Sequence, residues 1–229
     1  MAVLADKSIV EKMICSRDFF YMQPYFYQNP YALRCELGIG DTNEAYLKNA
    51  HERAMAIYHI LFPKAADAIF FNYWLYDYSD SGEAEILQFA DLEPEDIIEN
   101  RICAEAEQLR FLSEYQLHYR HFTVRDLPTY EEPDDYDYGW HRRNRVICYA
   151  DGKDFDYENL ISSQIYQTHA RDVSFVSFEN ECIYSVYDDR GCDIVFMTQE
   201  KLKEFYYKLQ PYFLEYDLEE MQKRFEGHV

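Results

Sequence analysis

The sequence predicts an α+β fold, a mainly antiparallel sheet with helices packed over one face. Three observations point there. The elements run helix, strand, helix, strand, helix, strands and helix, then a strand meander and two helices, without the regular alternation of a parallel sheet. "VSFVSF", "CIYSVY" and "CDIVFM" follow one another from Val173 with short gaps, the mark of a meander. The helical segments carry apolar residues on one side, so each has one face to bury. The 229 residues are read as a single domain, long enough for a sizeable core. A two-lobe arrangement split near 77–92 or 128–144 is the alternative.

In chain order, "DKSIVEKMICS" (6–16) sets Ile9, Val10, Met13 and Ile14 on one helical face, with Asp6 as cap. In "YALRCELGIGD", Leu33, Cys35 and Leu37 point one way, Arg34 and Glu36 the other, and Gly38 and Gly40 end the strand. Asp41 and Glu44 have capping-box spacing ahead of a helix with Leu47, Ala50, Ala54, Ile57, Tyr58 and Leu61 on its apolar side; Pro63 stops it. "AIFFNYWLY" (68–76) reads as a central strand covered on both faces. Residues 77–92 read as a loop, and Pro94 opens a helix reaching Leu112, with Ile97, Ile98, Ile102 and Leu109 in its apolar set. "LHYRHFTVRDL" reads as a strand, 128–144 as a surface loop or hinge, and "RVICYA" (145–150) as a strand. Asp154 or Asp156 caps a helix ending near Ala170. After the meander, Thr198 caps a helix with Leu202, Phe205, Tyr206 and Leu209 on one side, closed by Pro211. Asp217 and Glu220 repeat the capping-box spacing before a last helix carrying Met221 and Phe225.

The charge bounds the function. There are 43 acidic residues against 22 Lys and Arg, a formal net charge of −21. A field of that sign repels nucleic-acid phosphates and anionic membranes and attracts basic surfaces. The 23 tyrosines suit either an aromatic sheet core or a binding surface. Cys15, Cys35, Cys103, Cys148, Cys182 and Cys192 contain no CxxC pair and fit no zinc module. The opening "MAVLADKSIV" lacks a basic start followed by a long apolar run, and no stretch has the length of a membrane span. A cytoplasmic protein with reduced thiols is expected.

"SVYDDRGCDIVF" (185–196) packs four charged side chains and a thiol into six positions between apolar runs. As a four-residue hairpin loop, "DDRG" sets Tyr187 opposite Cys192, Ser185 opposite Ile194 and Cys182 opposite Met197, so Cys182 and Cys192 cannot form a disulfide. Gly191 then supplies a left-handed turn residue, Asp188 accepts from backbone amides two residues on, and Asp189 and Arg190 project into water. A reactive reading makes Cys192 a nucleophile activated by Arg190, and a metal reading uses Asp188, Asp189 and Asp193.

"YDDRGCDIV", followed by "QEKLKEFYYKL" and "YFLEYDLEEMQKRF", resembles the end of a bacterial family known only as domain of unknown function 3885. The start, "PYFYQNPYALRCELG" with "AYLKNAHERAMAIYHILF", resembles that family's aromatic lead-in, "IRFELG"-type strand and following helix. The resemblance covers roughly residues 24–75 and 145–226. Cys35 stands where a bulky aromatic is typical, and 77–144 matches poorly, which leaves open whether it is an inserted subdomain. The resemblance implies a fold unit and no catalytic residue.

Three side-chain constellations remain. Arg34 and Glu36 share a strand face, as ligand-holding groups or as members of a cross-strand ion pair on a hydrated face. His118 and His121 fall on opposite faces of a strand, which leaves a metal site with His141 poorly formed. His51 and His59 are eight apart on a helix, too far to share a metal. Phosphate-loop, dinucleotide and serine-elbow signatures are missing, so no cofactor, metal or catalytic residue is expected.

The leading expectation is therefore an acidic cytosolic binding protein that neutralises a basic protein partner, concretely an immunity protein for a bacterial toxin, a nuclease among the candidates. The partner-binding residues are the loop Tyr130, Glu131, Glu132, Asp134, Asp135, Tyr136, Asp137 and Tyr138. Nucleic acid and membrane are not expected partners, and oligomeric state is left open. The rival is an enzyme whose polar cluster joins Arg34 and Glu36 to the turn Asp188, Asp189, Arg190 and Cys192.

Overall fold

A computed structural model describes residues 25–74, 119–120, 143–148, 156–167 and 173–227. The chain forms α1 (Tyr25–Gln28), β1 (Ala32–Glu36), α2 (Asn43–Leu61), β2 (Ala68–Trp74), β3 (Tyr119–Arg120), β4 (Arg143–Cys148), α3 (Tyr157–Ile165), β5 (Val173–Ser177), β6 (Cys182–Val186), β7 (Gly191–Phe196), α4 (Gln199–Leu209) and α5 (Leu218–Glu226). Two 3₁₀ turns, Gln210–Tyr212 and Glu215–Asp217, link α4 to α5. The expected helices at 6–16 and from Pro94 to Leu112, the loop at 77–92 and the cap Asp154 lie outside the described residues.

The strands lie in the order β1-β7-β6-β5-β2-β4-β3, and each neighbouring pair is antiparallel. The fold is α+β, as the element order predicts. Alternation sorts β1 and the meander into two faces. Leu33 lies opposite Ile194, Ile194 opposite Tyr184, and Tyr184 opposite Phe175, so these residues share one face. Arg34, Asp193, Ser185 and Ser174 occupy the other face by the same pairing. Every residue of β5, β6 and β7 is buried, so the meander is covered on both faces.

Helices α2, α3 and α4 lie over the apolar face. The Tyr184 hydroxyl donates to the Ala54 carbonyl of α2 at 3.0 Å, and Phe196 stacks on Phe205 of α4 at 5.5 Å. Tyr157 of α3 stacks on Tyr58 of α2 at 4.5 Å, and Tyr58 also meets Phe62 and the edge of Phe175. Part of the tyrosine content therefore builds the core, each buried ring keeping a partner for its hydroxyl. Tyr58 does so by accepting the Ala66 amide at 3.2 Å.

Local signals account for the helix ends with three corrections. The cap of α2 is Thr42, which accepts from the Ala45 amide at 3.2 Å, one residue after the expected Asp41. Helix α3 begins at its Asp156 cap but ends at Ile165 rather than near Ala170. Asp217 precedes α5 without making a side-chain capping bond, because its carboxylate serves a buried network instead. Thr198 and the four buried residues of α4 fall as the sequence indicates. Gly227 closes α5 at φ 87°, a left-handed position suited to glycine.

The hairpin register differs by one residue from expectation. Val186 pairs with Cys192, Ser185 with Asp193 and Cys182 with Phe196. The Tyr187 amide bonds the Gly191 carbonyl at 3.3 Å, leaving Asp188, Asp189 and Arg190 as a three-residue loop. Gly191 is thus a strand residue, and its φ is not positive. Glycine is needed there for space: a Cβ would run into the Tyr187 hydroxyl and sit 2.8 Å from the Cys35 carbonyl. Cys35, Cys182 and Cys192 are free and buried, and Cys182 does not face Cys192.

Candidate functional site

The polar face is built from the β1–β7 pairing. Arg34 and Asp193 are directly opposite, so their side chains leave the sheet together. Arg34 Nε donates to Asp193 Oδ1 at 2.9 Å and Nη2 to Oδ2 at 3.2 Å, a bidentate pair. The same carboxylate accepts the Phe26 amide of α1 at 3.0 Å. Asp217 lies 3.7 Å from Arg34 Nη1 and accepts the Tyr27 hydroxyl at 3.2 Å. The rings of Phe26, Tyr27 and Tyr187 surround the guanidinium carbon at 5.2, 4.6 and 5.6 Å.

Arg224 of α5 completes the network. Its Nη1 donates to the carbonyls of Phe26, Asn29 and Ala32, supplying partners where α1 ends and the chain turns into β1. Its Nε bonds Glu220 at 3.2 Å, and its guanidinium stacks on Phe26 at 4.0 Å. Arg34 is 7% exposed and Asp193 1%, values that require each charge to be matched. Burial pulls the Arg34 guanidinium down, but the bonds and charge of Asp193 outweigh it, so Arg34 holds its proton above the usual arginine range. Burial pushes the Asp193 carboxyl up, opposed by Arg34 and by the Phe26 amide. Tyr187 is pushed up by burial and then by the charge of Asp193. The network ties α1, β1, β7 and α5 together and holds aromatic rings in fixed positions.

The hairpin tip behaves as a turn. Asp188 accepts from the Arg190 amide at 2.8 Å and from Arg190 Nε at 2.8 Å, so the crowded charges satisfy one another. Arg190 is exposed as expected, whereas Asp189 is only partly so. Strand pairing does bring Arg34 and Glu36 beside Cys192, with Glu36 opposite Gly191. The side chains nevertheless divide between faces. Cys192 faces the core opposite Cys35, and burial holds its thiol well above the usual range, the protonated and poorly nucleophilic form. Asp193, which the metal reading grouped with Asp188 and Asp189, is a strand residue turned away from the tip toward Arg34. Arg34 does form a cross-strand ion pair, with Asp193, but the pair is buried rather than on a hydrated face.

The expected partner-binding residues Tyr130, Glu131, Glu132, Asp134, Asp135, Tyr136, Asp137 and Tyr138 lie outside the described residues, as do His118, His121 and His141. His51 and His59 sit on α2, and no group of three or more His, Cys, Asp or Glu among the described residues could hold a metal ion. Sequence reading missed Asp193, Asp217, Tyr27 and Arg224 as one assembly. The available signal was Asp193 itself, an acid inside the apolar "CDIVF" strand with an arginine one strand away.

Among the described residues no helix is long and apolar enough to cross a membrane. The family model described as a domain of unknown function (DUF3885) matches residues 14–217, a span that contains β1, the hairpin and the segment 77–144. No curated protein and no solved structure matches the chain.

Proposed function

We propose, from the premise that the chain belongs to the family of domain of unknown function 3885, that it binds and neutralises a basic protein partner. The concrete form of the proposal is an immunity protein acting in the bacterial cytoplasm against a toxin, a nuclease being the natural fit for an acidic inhibitor. The observation that supports it is the net charge of −21. Such a field raises the encounter rate with a basic protein and can occupy the surface that protein uses for nucleic acid. The acidic segment from Tyr130 to Tyr138 is part of the proposal, since its carboxylates are interspersed in sequence with tyrosines able to anchor a partner.

Mixing the purified protein with toxins encoded by neighbouring genes tests this reading. The expected result is fast association at low salt that slows steeply as salt screens the charges. Failure of every candidate to bind at low salt overturns it.

A further inference from the structure

We propose that Tyr27, Tyr216 and Leu218, rimmed by Glu215 and Glu219, form a docking surface for exposed arginines of a basic partner protein. This rests on the reading above and assigns it a place. Tyr27 is 53% exposed, Tyr216 86% and Leu218 39%. Asp217, between Tyr216 and Leu218 in sequence, accepts the Tyr27 hydroxyl, which sets Tyr27 against the chain segment that carries the other two. Exposed large side chains carried on adjoining segments are a better mark of an interaction surface than the same residues scattered singly.

Tyr27 is half exposed and yet held. Its ring lies 4.6 Å from the Arg34 guanidinium carbon, and its hydroxyl is fixed by Asp217. A surface ring already fixed in place loses little freedom on binding, which is how aromatic anchors gain affinity. The buried Arg34–Asp193–Asp217 assembly therefore positions a contact residue.

Charge selects the occupant. Residues 215–226 carry Glu215, Asp217, Glu219, Glu220 and Glu226 against Lys223 and Arg224; with Asp217 and Arg224 both buried, four acids face one lysine there. Glu219 pairs with exposed Lys223 at 2.9 Å, a weak surface pair that an incoming cation can replace. Carboxylates beside open tyrosine rings suit arginine better than lysine, because the planar guanidinium both stacks on a ring and forks onto a carboxylate.

The test uses the full chain with oligoarginine and oligolysine peptides of equal length at low salt. Oligoarginine should bind more tightly, Tyr216→Ala and Glu215→Lys should each weaken it roughly three- to tenfold, and Tyr166→Ala should leave it unchanged. Tyr216 is too exposed for its loss to alter the fold, and equal thermal melting of wild type and variant checks this. Unchanged oligoarginine affinity in both Tyr216→Ala and Glu215→Lys overturns the surface while leaving the basic-partner reading standing. The surface is equally overturned if binding is lost only when the acids between Glu131 and Asp137 become amides. Equal affinity for the two peptides overturns the arginine preference, and binding of neither peptide to the wild type overturns the surface, the basic-partner reading being decided by the toxins themselves.

Discussion

The two faces of one sheet solve the same burial problem in opposite ways. On the face of Leu33, Ile194, Tyr184 and Phe175, helix α2 covers apolar and aromatic rings; the Tyr184 hydroxyl donates to a backbone carbonyl, and the Tyr58 hydroxyl accepts a backbone amide. On the face of Arg34 and Asp193, the cover is α1 and α5, and opposite charges meet in a bidentate pair with aromatic walls. The first face derives its stability from area removed from water, which tolerates imperfect fit. The second costs desolvation of two ions, repaid only while every partner stays in place. A charged face with this much at stake specifies how α1 and α5 dock, because they supply its remaining partners.

The largest expected effect comes from the second face. Asp193→Ala leaves Arg34 buried without its carboxylate and removes the acceptor of the Phe26 amide. It should cost about 3–5 kcal/mol in denaturant unfolding. The double change of Arg34→Met and Asp193→Leu should cost less than the single one, because it removes both ions together. If the double variant proves the less stable, the pair contributes net stability rather than mainly specifying the docking. Gly191→Ala comes next, at about 1–3 kcal/mol, since the new methyl meets a phenol that can swing and a carbonyl that cannot. On the first face Tyr184→Phe should cost only about 1 kcal/mol, the Ala54 carbonyl losing one donor. A loss of several kcal/mol there would mean that the apolar face also depends on its polar contacts.

The sequence shows the alternation of the two faces better than their burial. Leu33, Cys35 and Leu37 separate from Arg34 and Glu36 by period alone, and the strand, the meander and α4 follow from such local signals. Local pattern does not say whether a polar face meets water. That depends on Asp217 and Arg224, which arrive from nearly two hundred positions along the chain. The same distance explains the capping-box misreading at Asp217: its carboxylate has a stronger engagement with Tyr27 and Arg34 than with the first amides of α5. The register slip at the hairpin has a local cause. Glycine suggested a turn residue, but here it makes room for the Tyr187 phenol, a packing demand that turn statistics do not contain.

The smallest effect at neutral pH is nil and emerges only in alkali. Burial pushes the phenols of Tyr58 and Tyr184 on one side, and of Tyr187 on the other, above the ordinary tyrosine value; it pushes the Cys182 and Cys192 thiols up as well. In the unfolded chain these groups release protons near their ordinary values, about 8.5 for thiols and 10 for phenols. Below that range both states are protonated, and the stabilising contribution is present in full. As pH rises through it, the unfolded state sheds protons that the folded state keeps, and stability falls by up to about 1.4 kcal/mol per pH unit for each retained proton. Denaturant unfolding measured from pH 8 to 11 should therefore weaken steadily from the thiol range upward, with the phenol absorbance of the folded protein lagging behind that of the unfolded. Tyr184→Phe removes one such proton and should make the slope above pH 10 shallower by about that amount. Tyr187→Phe should do the same from the charged face, where Asp193 adds to the shift. A slope unchanged by Tyr184→Phe would show that its phenol ionises in the folded protein as readily as in the unfolded, and hence that the apolar face admits water at alkaline pH.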